Sequence, residues 1–193
     1  MGRLIYIMGK SASGKDKIYR HLAADEALRL KKIVLYTTRP IREKERDGVS
    51  YWFVTAQRLR DLAAEGRVIE QRNYQTVHGV WSYATVDDGS VKLDEADYIA
   101  IGTLESYQKI RDYYGADRVV PVFIEVEDGE RLTRALNREK KQEEPKYKEM
   151  CRRFLADCED FSEENIAKAG IRKRYDNSGA LEDCLNAILA DLS

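Results

Sequence analysis

The sequence predicts an α/β sandwich built on a parallel sheet, and three observations carry that reading. Short β-forming runs alternate with amphipathic helical stretches at both ends of the chain. A glycine-spaced loop, Gly9-Lys10-Ser11-Ala12-Ser13-Gly14-Lys15, joins the first such strand to the first helix. A strand-rich stretch from about residue 36 to 86 interrupts the alternation and reads as an insertion.

Taken in order, "RLIYIM" (3–8) is an apolar run of the kind a buried parallel strand requires. "KDKIYRHLAADEALRL" (15–30) places Ile18, Leu22 and Ala23 on one helical face. "KKIVLYTTR" (31–39) predicts a second strand that breaks at Pro40, and "IREKERDG" (41–48) a polar turn. "VSYWFVT" (49–55) alternates as a strand does, and "AQRLRDLAAEG" (56–66) predicts a helix stopped by Gly66. The runs 67–77 and 80–86 flank His78-Gly79 as the arms of a hairpin. Residues 86–96 have no strong period and predict a loop. "DYIAIGT" (97–103) predicts a buried strand, and 104–115 a helix ended by Gly115. "RVVPVFIEV" (118–126) reads as a strand, although Pro121 counts against it. Helices follow at 129–141, from Pro145 to Phe161, and at 162–170; a last strand (171–177) and an amphipathic helix (180–192) complete the pattern.

Composition narrows the class. A length of 193 residues suits one domain with small insertions and a real core. The formal charge is −1 with 35% charged residues of mixed sign, which supplies no basic field for nucleic acid. No apolar run reaches the length of a membrane span. "MGRLIYIMG" enters a strand directly, unlike a signal peptide, and Tyr6 stands where a myristoylation motif has Ser or Thr. Cys151, Cys158 and Cys184 are too few and too scattered for a disulfide framework, so a reducing, cytoplasmic setting is expected. Neither the cysteines nor His21 and His78 show metal-ligand spacing.

The chemistry starts at the loop. Gly9 to Lys15 fits G-x-x-x-x-G-K between a predicted strand and a predicted helix. Small residues let backbone N–H groups turn inward around an anion, the helix start adds partial positive charge, and Lys15 adds a full one. A nucleoside triphosphate is the ligand this implies. Asp16 then occupies the place where most such loops have a Ser or Thr metal ligand. A carboxylate at a helix start complements the helix dipole. Beside a triphosphate it repels: two unit charges 4 Å apart cost about 4 kcal/mol at an effective dielectric of roughly 20. A hard cation between them removes that cost, so Asp16 is expected to bind magnesium, directly or through one water.

The segment "YTTRPIREKERDGVSYWFV" (36–54) resembles the acceptor segment of guanylate kinases, roughly T-T-R-x-x-R-x-x-E-x-x-G-x-x-Y-x-F-V. Thr37, Thr38, Arg39, Arg42, Glu45, Gly48, Tyr51, Phe53 and Val54 match in register. The resemblance implies a P-loop three-layer sandwich with a parallel core sheet (1–35, 97–130 and 160–193), an acceptor-binding insertion (36–96) and a helical lid (131–159). It implies transfer of phosphate from ATP to GMP with Mg2+. It further implies that residues 9–16 hold ATP and that Arg39, Arg42 and Tyr51, with Thr38, hold the GMP phosphate. By the same resemblance Glu70 reads guanine, Arg138 and Arg153 (or Arg152, one register away) act from the lid, and Asn177 contacts the ATP base. A carboxylate suits the guanine N1–H and N2 amine, and guanidinium forks suit a phosphate.

Three departures stand out. Asp16 is one. The family's D-x-D aligns with Ala100-Ile101-Gly102, so both carboxylates are missing. The family's N-Y-Y-G-[ST] hairpin reads "TVHGVWSYAT", which leaves Trp81 or Tyr83 for the phosphate-holding tyrosine and Ser82 or Thr85 for the guanine-contacting hydroxyl. Ribose 1,5-bisphosphate phosphokinases share the G-K-D loop and the missing aspartates but match the acceptor segment less fully. A non-catalytic guanylate kinase-like binding module is the third reading, against which the intact loop and lid arginines count. The expected partners are ATP and GMP alone, with no nucleic acid, membrane or protein partner.

Overall fold

The computed structural model describes residues 2–76 and 79–192; His78, expected at the hairpin tip, lies outside the described residues. Strand β1 (Leu4–Met8) is buried along its whole length because both of its faces are covered. Leu4, Tyr6 and Met8 pack with Leu104, Tyr107 and Ile110 of α3 (Leu104–Tyr114) and with Ile166 of α6 (Glu163–Lys168). Ile5 and Ile7 point the other way, onto Ile18 and Leu22 of α1 (Lys15–Ala24) and Ile188 and Leu192 of α7 (Leu181–Leu192). The period of two along one strand thus makes three layers, and each buried Leu or Ile contributes about 1.5–3 kcal/mol.

The core sheet has the order β2 (Lys31–Lys32), β7 (Tyr98–Gly102), β1, β8 (Val119–Glu125), β9 (Arg174–Asp176), with every pair parallel. Pro121 lies inside β8, between two neighbours, which propensity argues against. Its position explains the tolerance. Leu4 N–H donates to the Arg118 carbonyl, so residues 118, 120, 122 and 124 face β1, and 119, 121, 123 and 125 face away. On that side β9 pairs only from Phe123 onward, so the N–H that Pro121 lacks has no partner strand to miss.

Three expectations need correction. Of the run 49–55 only Trp52–Phe53 is a strand, with a turn at 48–50 before it. The run 31–39 is two strands rather than one. Lys31–Lys32 pair with β7, Ile33 N–H makes the last core link to the Ile99 carbonyl (3.2 Å), and Tyr36–Thr37 form β3 in a different sheet. No glycine or proline marks the change, because it is made by the neighbours and not by the run itself. Helix α1 ends at Ala24 and not at residue 30. Asp25 turns extended, and its carboxylate accepts from Ala27 N–H (2.9 Å), a local bond that competes with the helix.

The second sheet has the order β4 (Trp52–Phe53), β3, β6 (Gly79–Val86), β5 (Val68–Thr76). Helix α2 (Ala56–Ala64) closes one side: Thr55 caps it by accepting from Arg58 N–H (3.0 Å), and Leu59 and Leu62 pack on Ala84 and Val86. The other face, carrying Glu70, Arg72 and Tyr74 of β5 opposite Thr85, Tyr83 and Trp81 of β6, is left for the site. Helices α4 (Asp128–Glu139) and α5 (Tyr147–Asp160) lie after β8 and bring arginines to the phosphate loop.

Candidate active site

The phosphate loop is anchored from outside. Asn177 Nδ2 donates to the Ser13 carbonyl (2.8 Å), and Arg131 Nε donates to the Ser11 carbonyl (3.1 Å). Ser11 N–H donates to Asp157 (2.6 Å), and Arg153 Nη2 to Ser11 Oγ (3.3 Å). Lys10 Nζ stands 3.4 Å from Asp128, and Ala12 holds a left-handed φ of 63°. Gly14 is required: its φ is 83°, and a Cβ there would lie 2.5 Å from Asn177 Nδ2. Asn177, expected at the ATP base, is therefore committed beneath the loop, and it is buried. The Ser13 hydroxyl is buried in the loop without a partner among the described residues. Burial lowers the Lys15 ammonium from its ordinary pKa, and the carboxylates of Asp16 and Asp157 oppose that shift.

Lys15 and Asp16 open onto a cleft of roughly 540 Å³ at the C-terminal ends of β1 and β7, where parallel α/β sheets bind ligands. Arg152, Arg153, Asp157 and Asp160 of α5 line one wall; Tyr51, Arg72, Tyr74 and Tyr83 line the opposite one. Arg152 is engaged by Glu149 through two bonds of 2.6 and 2.7 Å, whereas Arg153 reaches the loop. Arg138 sits elsewhere: it shares a side pocket with Ser11 and Arg153, with 53% of its side chain exposed.

Arg39, expected at the acceptor phosphate, is 4% exposed and already bonded. Its guanidinium forks onto Glu45 (2.6 and 2.7 Å) and donates to the Pro40 carbonyl (2.9 Å) and Tyr83 Oη (3.2 Å). That leaves one of the five N–H groups a guanidinium carries. Its charge also lies 5.1 Å from the centre of the Tyr51 ring, which in turn meets Tyr83 edge-on at 5.7 Å. Arg39 thus frames the two tyrosines. The pairing holds the Glu45 carboxyl at a pKa of about 2. Arg42 is exposed and gives its main-chain N–H to Glu45 (2.9 Å). Thr38 spends its hydroxyl on Ser82 N–H (2.9 Å).

The two open choices in the hairpin differ in place: Trp81 and Tyr83 in depth along β6, Ser82 and Thr85 in strand face. Tyr83 lines the cleft, and Trp81, on the same face two residues nearer the tip, does not. Thr85 donates to Glu70 (2.8 Å), whereas Ser82 lies on the opposite face and donates to Asn73 (2.7 Å). Glu70, expected to open onto the acceptor, has a side chain only 1% exposed. Arg72 covers it with bonds of 3.1 and 3.3 Å. Burial acts most strongly on the Arg72 charge and lowers its pKa, but Glu70, Tyr6 and Tyr74 together outweigh it and the guanidinium pKa is raised.

The missing aspartate at 102 also has a structural reason. A Cβ on Gly102 would lie 2.1 Å from Tyr6 Oη and 2.7 Å from Ser106 Oγ. These two hydroxyls are bonded to each other (2.7 Å) and buried. Gly102→Ala should therefore overpack the site at a cost of about 1–3 kcal/mol. In thermal unfolding that is a Tm lower by roughly 2–10 °C. Adding Tyr6→Phe, which removes the clashing hydroxyl, should recover much of the loss; an unchanged Tm in Gly102→Ala alone would refute the clash. No sequence motif marks Tyr6, Arg72, Tyr74, Arg131 or Asp157 as a residue of the site. The available signal was thin: a lone hydroxyl in an apolar strand, and Glu70 and Arg72 two residues apart on one strand face.

Comparisons with known proteins point to one family. A family model described as guanylate kinase matches residues 1–164. The guanylate kinase of Granulibacter bethesdensis is 33% identical over 129 residues, covering 64% of this chain and 56% of that protein. That of Tropheryma whipplei is 34% identical over 119 residues, covering 61% and 60%. That of Paraburkholderia xenovorans is 30% identical over 160 residues, covering 80% and 65%. The matches thus span less than two thirds of the length of these relatives. A crystal structure of guanylate kinase from Anaplasma phagocytophilum superposes with a TM-score of 0.59 at 19% identity, covering 99% of this chain and 84% of that one, which bears on the fold alone. On the strength of a family model that takes in most of its length, the chain belongs to the guanylate kinase family.

Proposed function

We propose that this protein transfers the terminal phosphoryl group of ATP to GMP, giving ADP and GDP. The observation that carries the reading is one cleft with Lys15 and Arg153 on the loop side and Tyr51 and Tyr83 facing them. Phosphoryl transfer asks little covalent work of a protein; it asks for alignment, charge neutralisation and exclusion of water. On this reading residues 9–16 and the start of α1 hold the ATP phosphates, and Lys15 and Arg153 neutralise the transferring group. Arg138 joins them from its side pocket when the helical segment 131–159 closes. Tyr51, Tyr83 and Arg42 hold the GMP phosphate, on a wall that Arg39, Glu45 and Thr38 keep in place. A GMP phosphate oxygen attacks the γ-phosphorus in line, the bond from that phosphorus to the β–γ bridging oxygen breaks, and ADP leaves. The partners are the two nucleotides, and the three unpaired cysteines suit a cytoplasmic setting.

The residues fit magnesium as a companion of ATP. Among the described residues no group of three His, Cys, Asp or Glu side chains forms a cage. Magnesium bound with nucleotides characteristically takes one or two carboxylates plus phosphate and water oxygens. Asp16, exposed and lining the cleft beside Lys15, is such a carboxylate. When bound, the ion would screen phosphate charge. Asp16→Asn should raise the magnesium concentration needed for half-maximal rate, while metal-free ATP binds equally or more tightly. Overlaying magnesium titrations of variant and parent would leave Asp16 as a helix-start carboxylate only.

The function is tested by coupled ADP release with ATP–Mg2+ and GMP, AMP, UMP, CMP or ribose 1,5-bisphosphate as acceptor. GMP is expected to give the highest kcat/KM. A faster reaction with ribose 1,5-bisphosphate would reassign the acceptor, and ADP release with none of the five would argue for a binding module.

A further inference from the structure

On the acceptor wall of the cleft, Arg72 is the charged side chain that faces the opening among the described residues. Its side chain is 17% exposed, whereas that of Glu70 behind it is 1% exposed. An acceptor entering the cleft therefore meets a guanidinium before it can meet the carboxylate. Glu70 has both oxygens engaged, one by Thr85 and Arg72 Nη2 and the other by Arg72 Nε. Positions 100 and 102 supply no carboxylate beside it: Ala100 is buried in the core, Gly102 lines the cleft, and Tyr6 Oη fills the space a side chain at 102 would take. Tyr74 and Tyr83 line the cleft with Arg72, their rings edge to face with centroids 5.7 Å apart, so either ring can offer an aromatic face or edge to a base.

We propose that Arg72 is the residue that selects the base of the acceptor, donating to O6 and N7 of guanine, and that Glu70 with Thr85 positions it. The assignment rests on GMP being the acceptor. Guanine presents two acceptors, O6 and N7, along one edge, and a guanidinium fork matches them. Adenine puts an amine donor where guanine has O6, so donor would face donor. The Glu70 carboxylate then acts through Arg72, holding its fork in one plane. Hypoxanthine separates this from direct reading by Glu70. It keeps O6 and N7 and lacks only the 2-amine, a group that Arg72 ignores and a carboxylate reader needs.

The experiment compares kcat/KM for GMP, IMP and AMP in the parent, in Arg72→Gln and in the double variant Glu70→Gln/Arg72→Gln. The double variant removes both charges of the buried pair, and so remains informative if the single one leaves Glu70 unpaired and unfolds. In the parent, IMP is expected within about threefold of GMP, and AMP on the order of a hundredfold or more below both. In the variants GMP and IMP should each fall by about ten- to a hundredfold, with AMP changed by less than about threefold. The base preference then collapses, which a merely structural role would not produce. A parent that uses IMP more than about tenfold less well than GMP, or a variant that folds and keeps the parent's GMP-to-AMP ratio, overturns the assignment and leaves the kinase reading standing. A parent that phosphorylates none of the three overturns both.

Discussion

Replacing Lys15 with methionine is expected to lower phosphoryl transfer from ATP by about a hundred- to a thousandfold, with the fold unchanged. Methionine keeps most of the side-chain length and removes the ammonium, so the substitution isolates the charge. The loop has other anchors: Asn177 on the Ser13 carbonyl, Arg131 on the Ser11 carbonyl and Asp157 on Ser11 N–H. None passes through Lys15, so Tm is expected to hold while the rate collapses. Burial already lowers the Lys15 pKa, and an ammonium held in a half-buried site interacts more strongly with a phosphate than one in water. Single-turnover kinetics with saturating ATP–Mg2+ measure the loss at the transfer step. A fall of less than about tenfold would remove Lys15 from the reacting phosphates.

Arg153→Ala is expected to cost about a thousandfold in kcat, the scale on which an arginine acts at a transferring phosphoryl group. Arg152→Ala is expected to cost less than about threefold, as an exposed ion pair contributes little. The two neighbours differ in what already holds them. Arg152 forks onto Glu149 on its own helix, with 64% of its side chain exposed. Arg153 turns toward the phosphate loop and reaches Ser11 Oγ at 3.3 Å. KM for ATP should move much less than kcat for Arg153→Ala, because the interaction strengthens as charge develops. Equal losses from the two alanine variants, or a larger one from Arg152, would exchange their roles.

Some of this protein is legible from residues next to one another in the chain. The phosphate loop is one contiguous stretch, so its glycines, Lys15 and Asp16 announce themselves wherever the chain folds. The strand before it, the start of the helix after it, the hairpin and α3 follow from local periodicity and turn chemistry. The match from Thr37 to Val54 is likewise a local pattern, and it sufficed to point to the family that the comparison then established.

What only the tertiary structure decided is which side chains remain free to act, because that depends on partners far away in sequence. Arg39 matches its motif, yet a loop carboxylate six residues on and a tyrosine from another strand occupy most of its donors. Trp81 and Tyr83 are alike on paper; their depth along β6 puts one of them in the cleft. Pro121 is tolerated because β9 starts pairing two residues later. Gly102 cannot carry the family's aspartate because Tyr6, ninety-six positions earlier, has its hydroxyl there. Glu70 cannot open onto the acceptor while Arg72 folds over it. A motif specifies which functional groups are present, since that is written in consecutive residues. Their availability is set by burial and by competing hydrogen bonds between strands and helices, which exist only once the layers have packed.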